Sequence, residues 1–251
     1  IDATAFDDSA GNSYAGIIDT TTLSFITEDT LSPTLINSSP EANATAIAFG
    51  SNIVLTFSEV VDTESGNIVI HKASDDSVVE TIAVTSNRVT GSGTTQITIN
   101  PTNNLSPSTE YYVKIDATAF DDPAGNSYAG INDTTTFSFT SADIVAPTLA
   151  SSVPADNATA VAEGSNIVLN FSEVVDVESG NIVIYKTSNN AVVETIDVTS
   201  NKVTGTGTNQ ITVNPSTTLD SSTQYYVKID ATAFDDPAGN SYAGIVDSWT
   251  K

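Results

Sequence analysis

Apolar and polar residues alternate over short runs along most of this chain. Ile53, Leu55 and Phe57 share one face of an extended segment, and Ile97 and Ile99 share one face of another. A period of two residues predicts β-strands with one buried face, and no stretch shows the 3.6-residue period of a helix. From residue 33 to residue 140 the pattern predicts strands at residues 34–38, 52–58, 67–72, 78–84, 88–90, 95–100, 110–115 and 134–139.

A sixteen-residue phrase occurs three times in the 251 residues. Residues 115–130 read IDATAFDDPAGNSYAG, residues 229–244 repeat this letter for letter, and residues 1–16 differ only at Ser9. Both offsets are 114 residues, and repetition at a domain-sized period indicates an array of similar modules. We therefore predict the last loop and strand of a preceding unit at residues 1–30, a complete unit at 31–144, and a second unit lacking its last strand at 145–251.

About seven short strands in each unit, separated by turn residues, predict an all-β fold of tandem immunoglobulin-like β-sandwiches. The chain has no cysteine, so the Cys…Trp…Cys pattern of antibody domains is absent and the prediction depends on strand number and spacing. A jelly roll or another sandwich would give a similar pattern. The linkers at residues 27–32 and 141–146 are each about six residues long and are each followed by a proline, Pro33 or Pro147, which favours a semi-rigid joint.

The strongly acidic composition and the absence of long apolar runs exclude two classes of partner, nucleic acids and the membrane interior. Seven Lys and Arg residues face 31 Asp and Glu residues, which gives a net charge of −24. Such a surface repels phosphate backbones, so we predict no nucleic-acid binding. No run approaches the roughly 18 apolar residues that span a bilayer, so we predict no membrane insertion. The abundance of Thr, Ser, Asn and Val is typical of an exposed, secreted β-protein.

The acidic residues concentrate in loops that immunoglobulin topology places at one pole of each unit. There the B–C loop, residues 59–66, meets the incoming linker and the F–G loop, which holds Asp121, Asp122, Gly125 and Asn126. Adjoining carboxylate and amide oxygens suit Ca²⁺, a hard cation that takes about 6–8 oxygen ligands. The predicted ligands are Glu59, Asp62, Asp121, Asp122 and Asn126 in the first unit, Glu173, Asp176, Asp235, Asp236 and Asn240 in the second, and Asp29 and Asp143 as contributors from the linkers.

Two alternatives to a calcium site that bridges the linker stay open at this point. Asp and Asn initiate turns through bonds to their own backbone, so acidic loops also form without a metal. A calcium site confined to the two loops fits the sequence as well as one that includes the linker.

The sequence offers little catalytic chemistry. It lacks cysteine, a Ser/His/Asp set and a phosphate-binding glycine loop. The single histidine, His71, stands where the second unit has Tyr185, which indicates an exposed strand position. The carboxylates recur in every unit, which indicates a structural role rather than an active site, and we predict no enzyme activity. We further expect Trp249 to pack inward, and Tyr112 to lie on the surface, where a sugar-stacking role is an alternative.

Several phrases of the chain resemble a known family. They are NIVLTFSEVVD, SGNIVI, STEYYVKIDATAFDDPAGNSYAG and TTTFSF, and together they are similar to bacterial Ig-like domains of the S-layer (SbsA) type. The resemblance implies extracellular, cell-surface modules of large surface proteins or adhesins, often associated with calcium. It implies ligand sets of Glu59 with Asp121, Asp122 and Asn126, and of Glu173 with Asp235, Asp236 and Asn240. Asp7, Asp8 and Asn12 are the corresponding remnant of a preceding unit.

The leading functional prediction is a non-enzymatic spacer that calcium stiffens, with neighbouring Ig-like units as its partners. A second hypothesis is a head-to-tail filament, in which residues 17–26 donate a β-strand to another copy of the same chain. A third is an adhesin module that binds surface glycans.

Overall fold

In the computed structural model, which describes residues 1–102 and 105–246, every helix or strand element is a β-strand. The first unit contains β1 (Leu35–Ser39), β2 (Ala44–Ile47), β3 (Ile53–Thr63), β4 (Asn67–Lys72), β5 (Val78–Ala83), β6 (Val89–Thr90), β7 (Thr94–Ile99), β8 (Glu110–Ile115), β9 (Phe120–Asp121) and β10 (Ser138–Ser141). The second contains β11 (Leu149–Val153), β12 (Ile167–Val177), β13 (Asn181–Lys186), β14 (Ala191–Asp197), β15 (Val203–Thr204), β16 (Thr208–Val213), β17 (Tyr225–Ile229) and β18 (Phe234–Asp235). The described residues include no helix long and apolar enough to cross a membrane.

Two sheets form the first unit. One has the strand order β1, β3, β7, β6, with β9 paired to the end of β3, and the other has the order β2, β10, β8, β4, β5. The pairs are antiparallel except for β2 and β10, which run parallel. This arrangement confirms the prediction of an all-β fold.

The core of the first unit lies between its two sheets. Leu55 and Ile97 from one sheet and Ile70 and Val113 from the other are at most 1% exposed. Each such burial stabilises the fold by about 1.5–3 kcal/mol relative to exposure. The period-two pattern in the sequence is therefore the pattern of inward positions.

The repeated sixteen-residue phrase supplies aromatic residues to each core. The ring of Phe57 on β3 packs against Phe120 and Tyr128, both from the phrase, at centroid distances of 5.3 and 5.2 Å. In the second unit the ring of Phe171 on β12 packs against Phe234 and Tyr242 at the same two distances. These contacts fix the F–G loop, which joins the two aromatic residues of the phrase, to β3 or β12.

Strand β3 is longer than the sequence pattern predicted. β4 and β8 match predicted strands to the residue, whereas the short strands β2 and β9 were not predicted. β3 continues to Thr63, so Glu59 and Asp62 lie on a strand, and their placement in a B–C loop was wrong. The strand continues because Val61 still enters the core and is fully buried.

The last strand of the first unit begins later than predicted. The sequence pattern placed it at residues 134–139, but β10 begins at Ser138. The carboxylate of Asp133 accepts hydrogen bonds from the backbone amides of Thr135 and Thr136 at 2.7 and 2.6 Å. These bonds hold the chain in a turn, so that extended pairing starts only after the turn.

The second unit repeats the first sheet, but its other sheet contains the order β14, β13, β17 among the described residues. The prediction that this unit lacks its last strand concerns residues 247–251, which lie outside the described residues. The prediction that Trp249 packs inward lies outside them for the same reason.

The first 30 residues form loops and turns and contain no strand. The segment at residues 17–26, predicted to be a strand, forms none: Ile17 exchanges backbone hydrogen bonds with Ile1, and Asp19 accepts the amides of Thr21 and Thr22 in a turn. Ile18, Phe25 and Ile26 are 95%, 85% and 98% exposed. A strand needs a neighbouring strand to satisfy its backbone groups, and no described strand lies beside this segment.

Candidate metal centre

The F–G loop is built around one buried aspartate. Asp122 is 3% exposed, and its Oδ1 accepts the backbone amides of Ala124 and Asn126 at 2.9 and 2.7 Å. The side-chain amide of Asn126 donates to Asp122 Oδ2 at 2.8 Å. Gly125 closes the loop with φ of +89°, a conformation that suits glycine. The loop therefore holds Asp122 in one orientation.

The other two copies of the phrase form the same loop. Asp236 accepts the backbone amides of Ala238 and Asn240 at 2.9 and 2.8 Å, and the Asn240 side chain donates to it at 2.8 Å. Asp8 accepts three equivalent bonds from Ala10 and Asn12, although it is exposed. The loop geometry is thus a local property of the phrase.

Strand β3 brings Glu59 to the same end of the unit. Glu59 is half-buried, and the residues two positions before and after it, Phe57 and Val61, are buried. The corresponding Glu173 on β12 is also half-buried. Both carboxylates therefore sit at the rim of a hydrophobic core.

The incoming linker is clamped beside this glutamate. Thr34 donates its backbone amide to Ser58 Oγ at 3.0 Å and accepts the Ser58 amide at 2.9 Å. Thr148 and Ser172 make the same two bonds in the second unit, at the same distances. This clamp was not predicted, although its residues recur at the 114-residue offset in the sequence.

These three elements bring three carboxylates together in each unit. Ligand oxygens of Asp29, Glu59 and Asp122 all lie within 4.8 Å of one another. The equivalent group of Asp143, Glu173 and Asp236 meets the same limit. Asn126 adds a bond from its side-chain amide to the carbonyl oxygen of Asp29 at 3.2 Å. The linker residue is therefore part of each group.

The other predicted acidic ligands form a separate pair. Asp62 lies opposite Asp121 where β3 pairs with β9, and Asp176 lies opposite Asp235 in the second unit. Neither pair belongs to a three-carboxylate group. Of the predicted residues, the structure brings together only the linker aspartate, the strand glutamate and the second aspartate of the phrase, with the asparagine as their support.

The predicted surface position of Tyr112 was wrong. Tyr112 is 2% exposed, stacks on the ring of His71 at a centroid distance of 4.8 Å and donates its hydroxyl to Asp76 Oδ1 at 3.0 Å. β10 pairs with β8 at Tyr112 and covers that edge. This ring is therefore not an exposed surface for stacking on a sugar.

Both units of the chain match the same protein family. The family model described as Bacterial Ig-like domain matches residues 29–141 and 143–250. The chain belongs to this family. The two matched ranges are the two Ig-like domains, and each contains one complete carboxylate group.

The Ig-like domains also have similar solved structures. The N-terminal part of the bacterial S-layer protein SbsC is 17% identical with a TM-score of 0.32, over 78% of this chain and 43% of that one. Domains 1–6 of SbsC are 14% identical with a TM-score of 0.33, over 84% and 34%. The BSP domain of a biofilm associated protein is 15% identical with a TM-score of 0.20, over 86% and 30%. The chain thus spans less than half of each of them, and no curated protein sequence matches it.

Electrostatic repulsion acts within both carboxylate groups of the Ig-like domains. Partial burial raises the pKa of Glu59 above its ordinary value of 4.5, and the charges of Asp29 and Asp122 raise this pKa further. Burial, followed by the charges of Asp143 and Asp236, raises the pKa of Glu173 in the same way. Bonds from Asn126 hold the pKa of Asp122 below its ordinary value, so this carboxylate stays charged.

Because of this repulsion, we expect that removing one charge from each carboxylate group stabilises the protein in calcium-free solution. The combined variant Glu59→Gln with Glu173→Gln is expected to melt at a higher temperature than the parent at pH 7. A raised pKa means that the folded parent binds more protons than the unfolded chain above pH 4.5, so its stability falls as the pH rises through this window. Glutamine does not titrate, so the difference should vanish at pH 4. Differential scanning calorimetry in a chelator measures it.

The matched control for this measurement changes two exposed glutamates that follow the same strands. Glu64→Gln with Glu178→Gln removes the same net charge outside the carboxylate groups. If this control gained as much melting temperature at pH 7 as the first variant, relief of general charge repulsion would account for the result.

Proposed function

We propose that this chain is a non-enzymatic structural segment of an extracellular bacterial surface protein, and that calcium bound at each carboxylate group stiffens it. The observation that carries the proposal is that both groups include the aspartate of the incoming linker. A cation at such a site joins the linker to the strand and to the F–G loop of the Ig-like domain that follows.

The donor set fits calcium. Carboxylate oxygens are the preferred ligands of this hard cation, and backbone carbonyls and waters complete its shell of about 6–8 oxygens. Three carboxylates in each group carry more charge than one divalent cation, so binding would relieve their mutual repulsion. Family membership and the strongly acidic composition, with a net charge of −24, support a location outside the cell.

The second linker shows how such a cation would connect two domains. Ala142 donates its backbone amide to Ile47 of the first domain at 2.9 Å, and its carbonyl accepts the Ser108 amide at 3.2 Å. The next residue, Asp143, accepts a hydrogen bond from the Ser108 side chain and belongs to the carboxylate group of the second domain. Calcium at this group would therefore fix a linker that is already tied to the first domain.

Two measurements on the whole chain test the proposal. Isothermal titration calorimetry, in which calcium is added to the calcium-free protein, is expected to give two binding sites per chain. Small-angle X-ray scattering is expected to show a narrower distribution of intramolecular distances after calcium is added. If titration gives no heat of binding and scattering does not change, the calcium proposal is wrong.

A linker variant separates a bridging site from one confined to the loops. Asp29→Asn with Asp143→Asn should weaken calcium binding at least about tenfold if each linker aspartate contributes a charged ligand. Glu64→Gln with Glu178→Gln is the control of equal charge and should bind like the parent. Unchanged binding in the linker variant would contradict the bridging arrangement.

A further inference from the structure

One sheet of each domain lacks charged residues over most of its length. β1, β6 and β7 of the first domain contain no Asp, Glu, Lys or Arg, and neither do β11, β15 and β16 of the second. The charges on β3 and β12 stand in the second half of each strand, at the end that reaches the carboxylate group: Glu59, Asp62, Glu173 and Asp176. By contrast, three strands of the other sheet of the first domain carry Lys72, Glu80, Glu110 and Lys114.

The outward side chains of this sheet form a surface that we call the neutral face. Leu55 and Ile97 are buried, so the residues on either side of them point away from the core. The neutral face of the first domain consists of exposed or half-buried residues: Asn37, Val54, Thr56, Gln96 and Thr98. The same positions form the neutral face of the second domain: Ser151, Val168, Asn170, Gln210 and Thr212.

The neutral face offers both donors and acceptors of hydrogen bonds. In the second domain, the side-chain amide of Gln210 donates to Asn170 Oδ1 at 2.8 Å, and the amide of Asn170 donates to Ser151 Oγ at 3.0 Å. A carboxamide has two donor hydrogens and two acceptor lone pairs, and a hydroxyl both donates and accepts. These side chains therefore keep unused donors and acceptors, which makes the face complementary to a second copy of itself.

We propose that the neutral face is a lateral contact surface between copies of this chain. Two copies with a net charge of −24 repel each other, and this repulsion is weakest where two uncharged surfaces meet. The centres of protein interfaces are likewise depleted of charged residues. Because the face is complementary to itself, two copies can pair through the same residues around a two-fold axis.

Other partners fit the neutral face less well. The negative field of the whole chain repels polyanions, and a basic partner would be drawn to the carboxylate groups instead. The ten residues of the two faces include no aromatic ring on which a sugar could stack. The face occurs twice in the chain at the 114-residue offset, so several weak contacts can add up between copies. The contact goes beyond the proposed structural role and uses none of the carboxylate groups, so it is independent of calcium.

Sedimentation equilibrium of the whole chain in a chelator tests the contact. The average mass of the parent should rise with protein concentration, and more steeply at 1 M salt, where the screening length is about 3 Å, than at 0.1 M, where it is about 10 Å. Gln96→Glu with Gln210→Glu keeps the shape of both side chains but places one charge on each neutral face. This variant should stay monomeric, because a charge buried in a contact without a partner is costly even when salt screens repulsion.

The matched control adds the same charge to the other sheet. Thr81 and Thr195 are exposed on β5 and β14, and Thr81→Glu with Thr195→Glu should assemble like the parent. A parent that stays monomeric in 1 M salt would overturn the proposal, and so would equal assembly of the two glutamate variants. If the parent stays monomeric but binds dextran, a neutral polysaccharide, and the variant of the neutral face does not, the face is a sugar site and the proposal is wrong.

Engineered thiols locate the contact, because the chain has no cysteine of its own. Under oxidising conditions, Gln210→Cys should form covalent dimers at least about tenfold faster than Thr195→Cys, because contact raises the effective concentration of facing thiols. Equal rates would show that the copies do not meet through the neutral face. Since every measurement is made in a chelator, failure here leaves the calcium proposal untouched, and failure of the calcium titration leaves this contact untouched.

Discussion

Calcium at 10 mM is expected to raise the melting temperature of the chain by about 10–20 °C above its value in the presence of a chelator. A site with an affinity of about 0.1 mM, as in extracellular modules, gains about 2.7 kcal/mol when the ligand is at 100 times its dissociation constant. A domain of about 100 residues shifts by roughly 4–8 °C for each kcal/mol. The physical source is the removal of repulsion among three carboxylates whose ligand oxygens lie within 4.8 Å. Differential scanning calorimetry with calcium and with a chelator measures the shift.

Variants show whether this gain comes from the two carboxylate groups. Glu59→Gln with Glu173→Gln should lose most of the calcium-dependent shift, because each group then has one charge fewer. Glu64→Gln with Glu178→Gln should keep it, because these exposed glutamates belong to neither group. Asp8→Asn is a further control, since its loop has the same bonds as that of Asp122 but no three-carboxylate group. An equal shift in all variants would contradict the assignment.

Replacing Glu194 by alanine is expected to lower the free energy of unfolding of the second domain by about 2 kcal/mol. Glu194 is 9% exposed and accepts a bond from Lys202 Nζ at 2.7 Å. Its oxygens also accept the backbone amides of Ser216 and Thr217 at 3.0 and 2.9 Å. The substitution would remove several hydrogen bonds to a charged acceptor, and such bonds contribute about 1.5–3 kcal/mol. Ser216 and Thr217 are exposed, so water replaces part of the lost bonding. Urea denaturation followed by circular dichroism measures the change.

The pH dependence of Glu194 gives an independent check. Burial raises its pKa, but the bonds from Lys202, Thr217 and Ser216 outweigh this and lower the pKa from 4.5 to about 2. The stabilisation is therefore complete above pH 4.5 and is lost as the pH falls towards 2. The difference in stability between the parent and Glu194→Gln should shrink over this range. Glu178→Ala, at an exposed position, should stay within about 0.5 kcal/mol of the parent throughout.

Most strands could be predicted because their inward residues alternate strictly. β4 and β8 follow the pattern to the residue. The pattern failed where a local polar contact or a distant partner decided the outcome. The bonds from Thr135 and Thr136 to Asp133 delay β10, and Val61 extends β3 because a core lies beside it. Both effects are invisible to an alternation of apolar and polar residues.

The candidate site was predicted in part. The sequence placed Glu59, Asp122 and Asn126 at one pole because topology orders the loops. It also placed Asp62 and Asp121 there, but these two lie opposite each other on paired strands and outside the group. Whether the linker takes part was open in the sequence, because nothing local shows where Asp29 lies. The clamp between Thr34 and Ser58 brings the linker to Glu59.

The sequence by itself determined the F–G loop of the repeated phrase, whereas the tertiary structure decided where the carboxylate group forms. Asp8, exposed in the first residues, accepts the same bonds from Ala10 and Asn12 that the buried Asp122 accepts from Ala124 and Asn126. These bonds span at most four residues, so the phrase alone is sufficient to form the loop. The carboxylate group joins residues 29, 59 and 122, which only packing brings within a few ångströms. The same packing half-buries Glu59 and places its charge beside those of Asp29 and Asp122, because burial and proximity exist only in the folded domain.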